Sequence, residues 1–271
     1  MKIDDLKNQF WELIRPLHSP LTRAVRKRLG RNYHEHPEME LPPAYEAVQL
    51  EVERRLHQYL HVSREEIQQI VIVGANDGGE IHRMKLAYPR CRFLCFEPSP
   101  MWFGKLTAGF AGRNFVESRQ LALAESSGSA TFHELPLGGN GSLLPPDRER
   151  WSRMNQMADN RVTTYDVEVS TLDHEARDLS RIDLLWMDVQ GAEGRVLKGG
   201  QATLDRTEAA FLEVSLVPSA YRGGMLFTEM DQTLSQYGFT CVGLGIDGWN
   251  FTGNALWIKE VNPRAMATGK P

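Results

Sequence analysis

The chain of 271 residues is poor in cysteine, with Cys91, Cys95 and Cys241 alone, and none of them stands in a C-x-x-C spacing. An odd and widely spaced set excludes a fully paired disulfide framework and gives no zinc or thiol-redox motif, so these thiols are expected to be reduced packing residues. Long apolar runs are also lacking. The longest runs, such as those at 70–73 and 184–187, span a few residues, whereas a membrane-crossing helix needs about 18 or more. The opening Met1-Lys2-Ile3-Asp4-Asp5 carries acids where a secretory signal would carry bases and then an apolar stretch, so a cytoplasmic protein is expected. Positive charge is not in excess either. A formal net charge of -4 argues against a nucleic-acid footprint over the whole chain.

What is present is the balance of a globular protein, 41% hydrophobic and 24% charged, and the length suits one large domain or one domain with an extension. The charge is uneven. Residues 1–33 carry eight bases against three acids, a net of +5, which leaves -9 for the rest. Leu6, Phe10, Ile14 and Leu17 recur at helical spacing there, Pro16 and Pro20 limit that helix, and a second basic helix-like stretch covers 21–29. We expect an N-terminal helical extension and linker over 1–43 and a catalytic domain over 44–271. The basic helices suit packing on that domain, contact with an anionic membrane surface, or self-association.

From residue 44 the pattern becomes that of an α/β domain. A helix is expected over 44–60, with Val48, Val52, Leu56 and Leu60 on one face. Strands are expected at 69–73, 92–96, within 114–123, at 131–134, 166–170, 182–187, 209–214, 240–244 and 255–259, and helices at 79–88, 101–110, 192–197 and 228–237. The last two strands form a hairpin around residues 245–253, a closing feature that the ordinary dinucleotide-binding sheet lacks.

Three segments carry chemistry. Val73, Gly74, Ala75, Asn76, Asp77 and Gly78 form a glycine turn between the first strand and a helix, where backbone amides can approach a ligand. The spacing is G-x-x-x-G, not the G-x-G-x-x-G of dinucleotide binding. Glu97 ends the second strand 19 residues after Gly78, where a carboxylate can accept two hydrogen bonds from ribose hydroxyls, and the pair of features points to an adenosyl ligand. Pro98 suits a helix start, and Ser99 can cap that helix or meet the ligand. Leu121 and Ala122 follow the third strand and are placed beside adenine. In the loop at 138–142, Asn140 and Ser142 are candidates for facing the ligand. Asp188 ends a buried strand, where open α/β sheets gather ligands, and Glu193 sits in the next helical turn, where it also suits the helix dipole. Among the bases considered, Asp188 stands first and Glu213 second, ahead of the lone His133 and His174. Asp173, His174 and Glu175 are sequence neighbours that point apart, so no metal is expected.

These segments resemble the FkbM-type methyltransferase family of S-adenosylmethionine-dependent enzymes. Its V-G-A-N-x-G turn, F-E-P motif, T-L-D element, D-V-x-G-x-E segment and V-L-K-G stand here at 73–78, 96–98, 171–173, 188–193 and 196–199, over a resemblance that spans about 69–260. The resemblance implies a Rossmann-like seven-stranded α/β sheet with helices on both faces. It implies S-adenosylmethionine as cofactor and methyl transfer to a hydroxyl of a sugar, glycoconjugate or secondary metabolite. Three positions depart from the pattern: Ile72 replaces an acid two places before the glycine, Trp186 a base two places before the D-V-x-G aspartate, and Gln190 an acid inside that motif. The rival readings are a nicotinamide-dependent oxidoreductase, a nucleic-acid or amine methyltransferase, and a non-catalytic S-adenosylmethionine-binding module. The glycine spacing disfavours the first. The second would need a proline pair at the strand end, but Leu144-Pro145-Pro146-Asp147 falls in a loop. Ile72 and Trp186 alone favour the third.

Overall fold

The computed structural model describes residues 44–135, 139–155, 161–247 and 251–259; the expected extension over 1–43 lies outside them. In chain order the strands are β1 (Gln69–Val73), β2 (Arg92–Phe96), β3 (Val116–Arg119), β4 (Ala122–Leu123), β5 (Gly128–Glu134), β6 (Gly141–Ser142), β7 (Thr163–Ser170), β8 (Leu184–Met187), β9 (Ala209–Ser215), β10 (Phe239–Ile246) and β11 (Thr252–Lys259). The helices are α1 (Ala44–Tyr59), α2 (Gly79–Ala87), α3 (Pro100–Gly109), α4 (Arg148–Asn155), α5 (Leu172–Glu175), α6 (Glu193–Lys198), α7 (Gln201–Asp205) and α8 (Phe227–Ser235). No helix among the described residues is long and apolar enough to cross a membrane.

The main sheet has seven strands in the order β10-β11-β9-β8-β1-β2-β3. Neighbours from β3 across to β9 run parallel, and β11 is antiparallel to both β9 and β10. The fold is the Rossmann-like α/β sheet with the expected closing hairpin. Its central strands are apolar on both faces, as strands covered by helices on both sides must be. Ile70 and Ile72 of β1 pack with Val52, Leu56 and Ile81 on one side, while Val71 and Val73 pack with Leu185, Leu212 and Trp257 on the other.

α1 is part of this core. Val52, Leu56 and Leu60 are shut from solvent, with Val48 packed beside them. The Tyr88 hydroxyl enters one turn of the helix, accepting from Leu56 N at 2.8 Å and donating to Val52 O at 2.9 Å. Beside it the fully buried Glu53 takes both a 2.6 Å and a 2.7 Å hydrogen bond from the Arg83 guanidinium of α2.

The expected third strand divides at the exposed Gln120. Its first half, β3, pairs with β2, and its second half, β4, leaves to pair with β7 in a four-stranded sheet of order β4-β7-β5-β6. The segment between the two halves of the main sheet is therefore a small sheet of its own, and it holds α4, a helix additional to the expected ones. α5 and α7 are also additional to the expected helices.

Candidate active site

The glycine turn closes on β2 through its backbone. Gly74 and Ala75 N–H groups both donate to Phe96 O, at 2.9 and 3.0 Å. Gly74 has φ +83°, and a Cβ there would overlap the Asp188 carbonyl, so the absence of a side chain lets β8 approach. Gly78, at φ +79°, would carry its Cβ into Leu106 and Phe110. Ala75 is fully buried in the core. Ala75 and Gly78 thus shape the turn from behind, while Val73, Gly74, Asn76 and Asp77 line the open cavity in front of it. Asp77 Oδ1 accepts from Gly79 N at 3.2 Å, at the start of α2.

Glu97 is 6% exposed. Its two oxygens accept one backbone N–H each, from Asn76 at 2.8 Å and from Ser99 at 2.8 Å. A carboxylate oxygen has a second lone pair, so both remain able to accept from a vicinal diol. Burial pushes this carboxyl up to about 7, against the pull of those two amides. Pro98 lines the cavity, but Pro100 is the residue that opens α3, after Ser99 in extended backbone. The Ser99 hydroxyl caps nothing; it donates to Glu134 of β5 at 2.8 Å, and Tyr165 of β7 donates to the other Glu134 oxygen at 2.8 Å.

The small sheet and β4 provide an apolar wall of Leu121, Ala122, Leu123, Phe132 and Leu143. Ser142 lies in this wall with its hydroxyl engaged, donating to Val189 O at 3.3 Å and accepting from Leu144 N at 3.0 Å. His133 alternates away from the cavity that Phe132 and Glu134 line. His174 is exposed on α5. Asp173 caps α7, accepting from Ala202 N and Thr203 N at 3.1 and 2.7 Å, and Glu175 accepts from Ser170 at 2.7 Å and pairs with Arg119. Asp173 and Glu175 thus serve different partners, and His174 lies 3.9 Å from Glu175 at the surface.

An acidic group gathers in the turn that follows β8. The Gln190 amide donates to Asp188 Oδ1 at 2.7 Å and to Glu213 Oε2 at 3.0 Å. Its own oxygen accepts from Tyr221 at 3.2 Å. Gln190 adopts φ +56° to do this, with Gly191 at φ +90° after it. Burial raises both carboxyls, and the charge of Asp188 adds to the rise at Glu213. Glu193 is 2% exposed and accepts from Val189 N at 3.0 Å. It braces the turn from beneath, and burial pushes it up to about 7.

Together these elements enclose a cavity of about 210 Å³. Its described lining includes five acids, Asp77, Glu80, Glu97, Glu134 and Asp188, and no lysine, arginine or histidine. Such a site favours a cation. Three polar atoms of residues that line it, Asn76 Oδ1, Glu80 Oε1 and Trp102 Nε1, are buried without a hydrogen-bond partner among the described residues. A second cavity of about 130 Å³ begins on the far side of the acidic group, lined by Gln190, Glu213, Asn140, Ser219, Trp151 and Tyr221 among others. The last two rings meet edge to face at 6.1 Å.

Sequence reasoning reached the turn, Glu97 and Asp188. It missed Glu80, Trp102 and Glu134 as cavity residues, and the hydrogen bond that ties Gln190 to Tyr221. A carboxylate in the first turn after the glycine loop was the one available signal, for Glu80.

A family model described as methyltransferase FkbM domain matches residues 73–241. The 2-O-methyltransferase NoeI of Sinorhizobium fredii is 30% identical over 154 residues, which cover 54% of this chain and 63% of that protein. Methyltransferase sdnD of Sordaria araneosa is 34% identical over 153 residues, covering 48% of this chain and 59% of its own. The chain thus spans about six-tenths of the length of these curated relatives.

Proposed function

Since the chain belongs to the methyltransferase FkbM domain family, we propose that it is an S-adenosylmethionine-dependent O-methyltransferase whose acceptor is a hydroxyl of an uncharged sugar, glycoconjugate or secondary metabolite. The observation that carries this is the position of Asp188. It lines the larger cavity, while Gln190 and Glu213, to which it is hydrogen-bonded, line the smaller. Cofactor and acceptor would approach it from opposite sides.

The residues present fit the cofactor. Glu97 would accept from the ribose diol, the wall of Leu121, Ala122 and Leu143 would take the adenine, and the glycine turn would let the chain close around the ligand. Five acids suit a sulfonium, which is a cation. When bound, the cofactor supplies an electrophilic methyl group on sulfur. Asp188, oriented by the Gln190 amide, would accept the acceptor's hydroxyl proton. Gln190 fixes the Asp188 carboxylate, and alignment does the remainder. The second cavity has no lysine, arginine or histidine among its described lining residues, which favours an acceptor without negative charge, and the Trp151 and Tyr221 rings suit the C–H face of a sugar ring.

The test is calorimetric titration with S-adenosylhomocysteine beside NADH, repeated with Glu97→Ala, followed by a screen of hydroxylated acceptors with labelled S-adenosylmethionine. Binding of S-adenosylhomocysteine weakened by about 1.5–3 kcal/mol in the variant, as expected for lost charged hydrogen bonds, supports the reading. NADH binding in its place overturns it.

A further inference from the structure

We propose that Glu80 is the residue that holds the amino group of the cofactor's methionine end. This rests on the adenosyl-cofactor reading above. Glu80 lies in the first turn of α2 and lines the larger cavity. One of its oxygens, Oε1, is shut from bulk solvent and has no hydrogen-bond partner among the described residues. The obvious counter-charge is already used: Arg83, one turn along the same helix, is held by both oxygens of Glu53. Burial pushes the Glu80 carboxyl up to about 8, its own backbone amide and the nearby Arg83 pulling against the rise and Asp188 adding to it. A carboxylate oxygen shut from solvent without a hydrogen-bond donor is costly, and an ammonium placed against it would remove that cost.

The position selects which end of the ligand arrives there. Glu80 acts electrostatically on Cys95 of β2 and feels Asp188 after β8. Cys95 and Trp186 are the register partners of Ile72 on either side of β1. Glu80 is carried by α2, whose Ile81 and Met84 pack in the same core cluster as Ile72, whereas Leu121 and Leu143 belong to other clusters. With the ribose at Glu97, the adenine takes the apolar wall and the cationic amino-acid end takes the acids. Ile72 cannot contribute a charge from the strand; Glu80 contributes one from the helix that covers the same face.

The experiment compares S-adenosylhomocysteine with 5′-methylthioadenosine, which keeps the adenosyl group and thioether but lacks the amino acid. Binding is measured by calorimetry on the full chain and on Glu80→Gln and Glu97→Gln. The expected result is that Glu80→Gln weakens S-adenosylhomocysteine at least tenfold and changes methylthioadenosine less than threefold, while Glu97→Gln weakens both. Equal effects on the two ligands in Glu80→Gln, or none on either, would overturn the assignment while leaving the cofactor reading intact. Failure of the unmodified protein to bind either ligand would overturn both. Should Glu80→Gln not fold, the unmodified protein is titrated with the deaminated analogue of S-adenosylhomocysteine, which keeps its carboxylate. A loss of at least tenfold supports the role of Glu80, and undiminished affinity excludes it.

Discussion

Ile72 and Trp186 are register partners on the adjacent parallel strands β1 and β8, both turned to the core face that α1 and α2 cover. In the FkbM pattern these two positions carry an acid and a base. The two departures thus fall side by side in space, where the Trp186 ring lies 4.3 Å from that of Phe211 and also borders the larger cavity. With Ile72 at 0% and Trp186 at 6% exposure, a single charge restored here would be buried without a partner. Ile72→Asp and Trp186→Lys should each cost about 3–5 kcal/mol. The double variant should lose less than their sum by about 1 kcal/mol or more. Urea unfolding of the four proteins measures this, and strictly additive losses would show that the pair does not form.

Gly74→Ala should disable the site. The methyl group would have to displace the Asp188 carbonyl, in a backbone at φ +83° that disfavours any side chain. The conformational term alone is about 1–3 kcal/mol, so a fall in thermal stability and at least a hundredfold loss of S-adenosylhomocysteine affinity are expected. Retained affinity would mean that the turn can reopen without cost.

Gln190→Glu should separate turnover from cofactor binding. It replaces the amide that donates to Asp188 and Glu213 with a third carboxylate, which raises Asp188 further and removes its orientation. With the reaction assigned above, kcat should fall more than tenfold, and the acidic limb of the pH profile should move to higher pH. Affinity for S-adenosylhomocysteine should change less than threefold. A change in affinity alone would place Gln190 in the cofactor site instead.

The stability of the ligand-free protein should decline as pH rises from about 4.5 to about 8. Glu80 is raised by burial to about 8, and Glu97 and Glu193 to about 7, from an ordinary 4.5. Across that window the folded state holds protons that the unfolded chain has released, so deprotonation favours unfolding. Melting temperatures taken from pH 5 to 8.5 should fall, and Glu80→Gln should flatten the slope. A steady rise with pH in the unmodified protein would contradict the burial of these three groups.

Much of this was legible in the sequence because it depends on local pattern. The strand β1, the glycine turn after it and Glu97 at the end of β2 follow from an apolar run, two glycines and a fixed spacing. Asp188 follows from the end of the buried run at 184–187. What was hidden depends on contacts between distant segments. Glu134 matters because Ser99 and Tyr165 converge on it, from 35 and 31 residues away. The tie between Gln190 and Tyr221 spans 31 residues. The break at Gln120 is invisible locally, since Leu121 to Leu123 would suit either sheet; pairing with β7 decides it. Pro98 was expected to open the helix and Pro100 does, a shift of two residues that sequence propensity cannot resolve.

The slot that β11 occupies has a consequence for synthesis. β11 lies between β9 and β10, not at an edge, yet it is translated after every other described strand. Until it emerges, β9 has an unpaired side, a template for wrong pairing. α1, made long before, also lacks half of its seat, because it packs on both β10 and β11. Asn254 of β11 lines the larger cavity. A nascent chain can thus form the glycine turn and the Glu97 site early, but it closes the pocket only when its last strand threads between two already made, and ligand affinity should appear on the ribosome as a late, single event.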